Sequence, residues 1–367
     1  MTIRIFNPEH DLALASNIER FTAPHAGRQL HSDLCYLPAL WSEDGDVVVV
    51  DDIDYAEAHY RLLRIDGKRN VEFCTMEQLP AVLKDEENHS VEIDAWGWDK
   101  AVRFQFLNAG VPKCLLPEMQ TVDEIRRLSG RQVTTAILTF LRAGIENSTC
   151  GESLYVTDYA AFAEELKARG ENLVAKAPWS SSGRGVRYFI EGTNTLNAHN
   201  WIRNVIRQQG GVMVEPLYNK VKDFGMEFVR HTDGKVHYSG LSLFRTQNGA
   251  YTGNILATEG EKREMLSVYL SLALIDEVAN RLEKELTRLY AGLNLRTEMA
   301  LGVDMMVVAR DDAEGFLLDP CVEINLRRTM GHVALSVSPD VPEHTGAMAV
   351  AYEGKKYHLK ISNNKTN

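Results

Sequence analysis

The chain has 367 residues, which is enough for two or three domains with a sizeable core. Hydrophobic residues make up 44% and charged residues 25%, so the composition is that of a globular protein and excludes a disordered chain. Lys and Arg number 40 against 51 Asp and Glu, and the formal net charge of −11 argues against a nucleic-acid partner, because neutralising phosphates needs a basic surface.

The cysteines and the apolar runs bear on the cellular compartment. Five scattered cysteines without CxxC spacing predict reduced, buried thiols rather than disulfides or a zinc site. The N-terminus reads as a short strand followed by polar residues, which is not the pattern of a signal peptide. No run approaches the ~18 apolar residues of a membrane span, so we expect a cytoplasmic protein without a membrane partner.

Residues 1–115 alternate strand-like and helix-like segments, which predicts a small α/β domain. Ile3–Phe6 and Val47–Val50 are short apolar runs typical of parallel strands buried on both faces, and Asp99–Asn108 predicts a helix. Glu9 and His10 follow the first strand, at the carboxyl end where α/β sheets bind ligands. They are therefore either substrate-binding residues or polar caps of a helix that starts there.

Helical segments follow this first region. Thr121 with Glu124, and Ser129 with Gln132, have capping-box spacing and predict two helix starts. A third amphipathic helix is predicted over 158–169.

From residue 173 onward the pattern changes to strands around one long helix. Thr232-Asp233-Gly234 has the composition of a hairpin turn, and the polar tail after Lys360 is expected to be frayed. The predicted elements are the strands Leu173–Ala177, Gly211–Tyr218, Met226–Arg230, Lys235–Leu243, Gly302–Val308 and Gly315–Ile324 and the helix Glu261–Tyr290.

The long predicted helix has two interpretations. From Val268 to Leu289 its apolar residues step by alternating four and three positions, which suits the seam of a coiled-coil homodimer. The run covers only about three heptads and its first half is apolar on a second face, which favours a core helix packed on a sheet.

Three local patterns could carry chemistry. Lys176 ends a strand and precedes a loop rich in Ser and Gly, whose backbone N–H groups and hydroxyls can wrap phosphate oxygens. This loop is not a Walker A motif, and taken alone it also fits a surface turn.

The second pattern is Glu215-Pro216, which ends another strand because Pro cannot extend the ladder of hydrogen bonds. The free backbone groups there could contact the edge of an adenine, or the segment is a plain strand end.

The third pattern is Asp304 followed on the next strand by Glu323 and Asn325. The two residues of the later strand share a face, and Asp304 on the neighbouring strand can join them. Two carboxylates and an amide oxygen suit Mg²⁺, whereas the alternative is an acidic pair in an ordinary hairpin. Glu323 lies in an otherwise apolar stretch, and a buried carboxylate needs a partner or a metal.

The order and spacing of these patterns resemble the ATP-grasp superfamily over residues 116–340. The resemblance implies an N-terminal Rossmann-like α/β domain with a parallel sheet (1–115), followed by a two-subdomain, α+β ATP-grasp domain (116–360). Within it, 116–210 would form the lid and ATP-binding subdomain and 211–360 the metal-binding subdomain.

The resemblance also implies residue roles. Lys176 and Arg131 would contact phosphates, Glu215 and Leu217 would hold the adenine, and Asp223 or Glu227 would reach the ribose. Arg327 would hold an acyl phosphate or a substrate carboxylate. The phosphate-covering loop would include Ser181, Ser182, Gly183 and Arg184, and the ligands of one or two Mg²⁺ ions, or of Mn²⁺, would be Asp304, Glu323 and Asn325.

Two positions depart from the family's pattern. Many such ligases have an arginine two residues before the first metal-binding acid, where this chain has Gly302; Arg245 could supply that charge from a neighbouring segment. The usual Gly-Gly of the lid is reduced to single glycines at 183 and 185.

The implied function is an ATP-dependent carboxylate–amine ligase that forms an acyl phosphate and releases ADP and phosphate. An ATP-grasp phosphotransferase acting on another acceptor, or an ATP-binding module without turnover, are the alternatives. We expect ATP and Mg²⁺ as cofactors and an amino acid or short peptide as substrate. Tyr251 and Asn254 lie in a polar, aromatic segment (242–254) that reads either as a substrate-facing loop or as a plain surface loop.

Overall fold

The computed structural model describes residues 1–65, 67–85, 91–180, 185–247, 250–311, 313–342 and 344–363. These residues form four sheets of four strands each, with helices packed against them.

The first sheet is parallel, as the sequence predicts, with strand order β3-β2-β1-β4. Its second strand consists of three fully buried valines, which suits a strand covered on both faces. The Asp99 side chain caps the last helix by accepting bonds from the N–H groups of Ala101 (2.8 Å) and Val102 (2.9 Å). The elements are β1 Thr2–Ile5, α1 His10–Ser16, α2 His25–Asp33, β2 Val47–Val49, α3 Ile53–Leu62, β3 Glu72–Cys74, α4 Leu79–Asp85, β4 Glu92–Ala95 and α5 Lys100–Asn108.

Two helices connect this region to the rest of the chain: α6 Met119–Leu128 and α7 Val133–Arg142. Both predicted capping boxes are wrong. Thr121 is buried inside α6, and the Ser129 hydroxyl donates to Ile125 O at the end of that helix, 2.7 Å away. The capping-box spacing therefore occurs here once inside a helix and once at the C-terminal end of a helix, and neither instance marks a helix start.

The second sheet is antiparallel, with order β5-β8-β6-β7, and it has an apolar core of its own that includes Phe162, Phe189 and Ile202. Its elements are β5 Leu154–Val156, α8 Tyr159–Ala168, β6 Leu173–Lys176, β7 Val186–Phe189, α9 Leu196–Gln209 and β8 Val212–Pro216.

The remaining chain forms the third sheet (β10-β9-β13-β14) and the fourth (β11-β12-β15-β16). The elements are β9 Lys220–Arg230, β10 Val236–Ser242, β11 Phe244–Gln247, β12 Ala250–Leu256, α10 Glu259–Ser267, α11 Leu272–Tyr290, β13 Met299–Ala309, β14 Phe316–Asn325, α12 Met330–Val337, β15 Gly346–Glu353 and β16 Lys356–Asn363.

Three predictions for this part are wrong. The long helix is two helices, because the chain breaks at 268–271 and the Ser271 hydroxyl caps α11. The predicted loop over 242–254 is the hairpin of β11 and β12, and the tail after Lys360 pairs with β15 as far as Asn363. The apolar face of α11, including Ile275, Leu282 and Leu286, is buried in the core, so these side chains are not available for a dimer seam.

The apolar cores cross the predicted domain boundary at residue 115. One cluster joins Phe6 and Trp96 of the first region to Leu256, Val333 and Met348. The N-terminal sheet is therefore fixed against the third and fourth sheets by shared packing, which holds the carboxyl ends of β1 and β4 in place relative to β13 and β14.

Candidate functional site

The three predicted metal ligands meet on one face of the third sheet. Asp304 lies directly opposite Glu323, and Gly302 lies opposite Asn325. Directly opposite residues of an antiparallel pair share a face, as do residues two apart on a strand. The Asn325 amide nitrogen donates to Asp304 Oδ2 at 3.1 Å, which closes the group.

A bulge in β14 lies directly before Glu323 and affects the direction of its side chain. Between the pairs Asp304–Glu323 and Met306–Asp319, β13 has one residue and β14 has three. Pro320 lies in this extra segment, where its missing N–H leaves no ladder bond unmade. Bulges reorient side chains next to active sites, and this one separates Glu323 from the regular part of the strand.

The charge balance at Asp304 is unfavourable for a carboxylate. Burial, followed by the negative charges of Glu323 and Glu227, raises the pKa of Asp304 to about 7. A divalent cation would remove this excess negative charge.

The donor set fits Mg²⁺, which prefers oxygen ligands and needs only one or two carboxylates beside water and substrate phosphates. No group of three or more His, Cys, Asp or Glu side chains arranged for a metal occurs among the described residues. The predicted site has two carboxylates, with the Asn325 amide oxygen as its third donor.

Lys176 lies next to this group. Its Nζ is 3.5 Å from Val322 O, the carbonyl that precedes Glu323 in the chain. The same Nζ forms an ion pair with Glu215 Oε2 at 2.5 Å, and both side chains are nearly buried. The predicted phosphate-binding and adenine-binding residues are therefore paired with each other in this structure.

Arg131 connects the base of the Ser/Gly loop to the face where metal binding is predicted. Its Nη1 donates to Ala177 O and Ser180 Oγ, both at 2.6 Å, and its Nη2 donates to Glu323 Oε1 at 2.6 Å. Burial alone would lower the pKa of this guanidinium, but the charge and hydrogen bond of Glu323 raise it. A permanent cation thus lies between the loop and the predicted ligand.

Arg327, predicted to hold an acyl phosphate or a carboxylate, already holds a carboxylate of the chain itself. It binds Asp11 through Nε (3.0 Å to Oδ1) and Nη2 (2.7 Å to Oδ2), and Nη2 also donates to Asn325 Oδ1 at 3.0 Å. Burial would raise the pKa of Asp11, but the charge and hydrogen bonds of Arg327 outweigh it and lower that pKa.

That Arg245 supplies the charge of the arginine expected at position 302 stays a prediction, and the structure shows what occupies the space at that position. A Cβ atom at Gly302 would lie 2.6 Å from Glu227 Oε2, so a buried carboxylate fills the place of the missing side chain. Glu227 is held there by the Thr329 hydroxyl at 2.8 Å. Arg245 is exposed on β11, and its charge lowers the pKa of Lys222, after the larger effect of burial.

The other predicted nucleotide contacts lie outside this group or outside the described residues. Asp223 pairs with Lys220 at 2.6 Å, and Leu217 is exposed after the end of β8. Ser181, Ser182, Gly183 and Arg184 lie outside the described residues.

The predicted substrate residues fall in two places. Glu9 accepts a bond from His31 at 3.2 Å and lines a cavity of about 140 Å³ near the carboxyl ends of β1 and β4. His10 is buried one residue further on. On the fourth sheet, the Tyr251 hydroxyl donates to Asn254 Oδ1 at 2.5 Å, and the Asn254 amide donates to Ser242 Oγ at 2.8 Å.

Sequence reasoning missed several polar residues around the site. Asp99 contacts His10, which is 89 residues away in the chain, and no local sequence signal indicated this pair. Thr329 and His332 form a buried group with Glu227 beneath Gly302, with Glu227 Oε2 3.0 Å from His332 Nδ1. A glycine at the position expected to hold arginine was the available signal for this group.

Comparison with known proteins gives a structural likeness only. No protein-family model matches the chain, and no curated protein matches its sequence. The biotin carboxylase domain of 2-oxoglutarate carboxylase from Hydrogenobacter thermophilus, solved with MgADP, ADP and bicarbonate, matches with a TM-score of 0.53 at 11% identity, over 95% of this chain and 74% of that one.

Two further solved structures are similar over the same share of this chain. Biotin carboxylase from Campylobacter jejuni matches with a TM-score of 0.48 at 12% identity and 75% of its own length. N5-carboxyaminoimidazole synthetase from Staphylococcus aureus, solved with ADP, matches with a TM-score of 0.46 at 11% identity and 82% of its length.

The chain therefore has the ATP-grasp fold, preceded by an N-terminal domain with a parallel sheet, as the sequence predicts. Its mixed α/β class is confirmed by the sheets described above. Within the described ranges, no helix combines the length and the apolar character needed to cross a bilayer.

Proposed function

We propose that this protein is an ATP-dependent carboxylate–amine ligase that works through an acyl phosphate. A substrate carboxylate attacks the γ-phosphate of ATP to give an acyl phosphate and ADP, and an amine then displaces phosphate. We place the protein in the cytoplasm, with a small carboxylate and a small amine, such as amino acids or a short peptide, as substrates.

The observation that carries this proposal is the proximity of Lys176 to the acidic group. Arg131 bonds Ala177 O with one end of its guanidinium and Glu323 with the other. Lys176 is the residue before Ala177, and its amine lies 3.5 Å from Val322 O. A cation of the second sheet thus lies close to two carboxylates of the third sheet, and binding a polyphosphate with a divalent cation needs these charges near each other.

The residue roles follow from their charge and position. Lys176 would contact phosphate oxygens, and Arg131 would add a second cation at the base of the Ser/Gly loop. Asp304, Glu323 and Asn325 would hold Mg²⁺, which supplies charge neutralisation at the phosphates. Positioning and electrostatic stabilisation would account for catalysis, so no covalent enzyme intermediate is needed.

Nucleotide binding would have to exchange partners within the site. Glu215 would leave Lys176 for the adenine amine, and Glu323 would divide its oxygens between Arg131 and the cation. Lys176 would then have phosphate oxygens in place of a carboxylate and Glu323 would have a second cationic partner, while Glu215 would accept from a neutral amine.

ADP release measured across the standard amino acids, singly and in pairs, tests the proposal. ADP and phosphate that appear only when an amine and a carboxylate are both present support the ligase. A stable phosphorylated product would instead assign a phosphotransferase, and ATP binding without ADP release would assign a module without turnover.

A further inference from the structure

His10, at the start of α1, forms a buried pair with Asp99. The His10 Nδ1 lies 2.9 Å from Asp99 Oδ2, and both side chains are at most 2% exposed. Asp99 Oδ2 also accepts from the Asn7 amide at 3.2 Å, while Oδ1 caps α5. Because the other contacts of the Asp99 carboxylate are all with N–H donors, we assign it as the acceptor of the Nδ1 proton, which leaves the lone pair of the ring on Nε2.

This lone pair has no structural use in the described chain. His10 Nε2 is buried and has no hydrogen-bond partner among the residues that the structure describes. Leaving a buried acceptor unpaired is unfavourable, because the bond to water that it loses on folding is not replaced. The ring also requires Gly97, because a Cβ there would lie 2.5 Å from the imidazole Cδ2 and 2.7 Å from Nε2. The position of this imidazole thus requires that residue 97 has no side chain, and it leaves the hydrogen bond of Nε2 unmade.

The pair lies beside the proposed active site. The next residue in the chain, Asp11, binds Arg327, which in turn donates to Asn325 Oδ1. Burial would raise the pKa of Asp11, but Arg327 lowers it, and a positive charge on His10 lowers it further, so the imidazole is within electrostatic reach of this carboxylate. The charged groups around His10 are Asp99 on α5, Asp11 on α1, and beyond them Arg327 and Arg131.

We infer that His10 Nε2, oriented by Asp99, takes the proton from the amine that attacks the acyl phosphate; this rests on the proposed function. The amine arrives as an ammonium, and Nε2 takes one of its protons. The free nitrogen then forms the C–N bond, the bond from carbon to the phosphate oxygen breaks, and the departing phosphate takes the second proton from the nitrogen. Solvent then removes the proton from Nε2. Because Nε2 is covered in this structure, contact with the amine, direct or through one water, requires a local movement when substrate binds.

Hydroxylamine separates this role from a structural one. It is mostly unprotonated at neutral pH and needs no base, so it traps the acyl phosphate as a hydroxamate. In His10→Gln, amide formation should fall about 10²- to 10⁴-fold with amino acid nucleophiles, while hydroxamate formation stays within about threefold of wild type. The exposed His25, changed to Gln, is the matched control and should alter neither product.

A second variant tests the orientation by Asp99. Asp99→Asn keeps the cap of α5, but its amide nitrogen donates to Nδ1 and moves the ring proton to Nε2. The same selective loss is expected. Equal losses of amide and hydroxamate in either variant, or no loss, would overturn the role of His10. Wild-type protein that forms neither product would overturn the ligase proposal itself.

A spectroscopic measurement checks the tautomer without any substrate. In ¹⁵N-histidine-labelled protein, with the signal assigned through His10→Gln, we expect a protonated Nδ1 and an unprotonated Nε2 for His10. The opposite tautomer would contradict the inference, since Nε2 could not then accept a proton.

Discussion

Arg327 and Asp11 form a two-bonded ion pair that connects the N-terminal sheet region to the face of the third sheet where metal binding is predicted. The contacts are 3.0 Å from Nε to Oδ1 and 2.7 Å from Nη2 to Oδ2, and each side chain is only 17% exposed. Arg327 also donates to Asn325 Oδ1, so the pair fixes one of the predicted metal ligands. The position of α1 is thereby coupled to the candidate active site.

Asp11→Ala should destabilise the protein by about 3 kcal/mol, because it leaves a nearly buried guanidinium without its carboxylate. Urea unfolding measures this change. Glu152→Ala is the control: Glu152 is 60% exposed and lies 3.3 Å from Arg169, and losing it should cost less than about 1 kcal/mol. Equal effects of the two variants would show that the Asp11 pair is no stronger than a surface pair.

Glu323→Gln should remove the ATP-dependent activity while leaving the fold intact. The amide keeps an acceptor oxygen for Arg131 but removes the charge that a divalent cation needs. We expect a fall in ADP release of about 10²-fold or more, together with weaker dependence on Mg²⁺ concentration. Glu277→Gln, on the exposed side of α11, is the control and should be silent. Unchanged turnover in Glu323→Gln would remove the metal assignment.

The roles of Lys176 and Glu215 can be separated by comparing ATP with adenosine. Lys176→Met should weaken ATP binding about 10- to 100-fold, because a charge-assisted hydrogen bond to phosphate is lost, and should leave adenosine binding nearly unchanged. Glu215→Gln should weaken both ligands to a similar degree if its carboxylate binds the adenine amine. Isothermal titration calorimetry measures the four affinities. An Lys176→Met variant that loses adenosine and ATP equally would contradict the phosphate role.

Local patterns made much of the fold predictable. The valines of β2 and the cap residue Asp99 identify their elements because the signals lie within a few residues of each other. The break between α10 and α11 was missed, since Val268 and Leu272 are apolar yet exposed and continue the helical period across the gap. Periodicity reports which residues are apolar and leaves open where the chain bends.

The site was predictable where its residues share a strand or a pair of strands. Asp304, Glu323 and Asn325 lie together because register follows from the hairpin. The partners of Lys176 and Arg327 were not predictable. Asp11 is 316 residues away from Arg327 in the chain. Lys176 pairs with Glu215, another carboxylate of the chain itself, and no local sequence signal indicates either pair.

Asp319 should make stability depend on pH. Burial, followed by the negative charge of Glu215, raises its pKa from the ordinary 3.8 to about 7, against the lowering effects of Lys176, Cys321 N–H and Arg142. The folded protein therefore keeps a proton that the unfolded chain releases between about pH 4 and pH 7. The resulting contribution to stability is fully present below that window and is lost as the pH rises to about 7.

Asp319→Asn isolates this contribution, because the amide oxygen can still accept from the Cys321 N–H and carries no charge. Relative to wild type, the variant should gain stability with rising pH, by up to about 1.4 kcal/mol per pH unit between pH 5 and pH 7, and then level off. Urea unfolding of both proteins at several pH values measures the difference, in which contributions common to both cancel. A difference that does not change with pH would mean that Asp319 is ionised in the folded protein throughout this range.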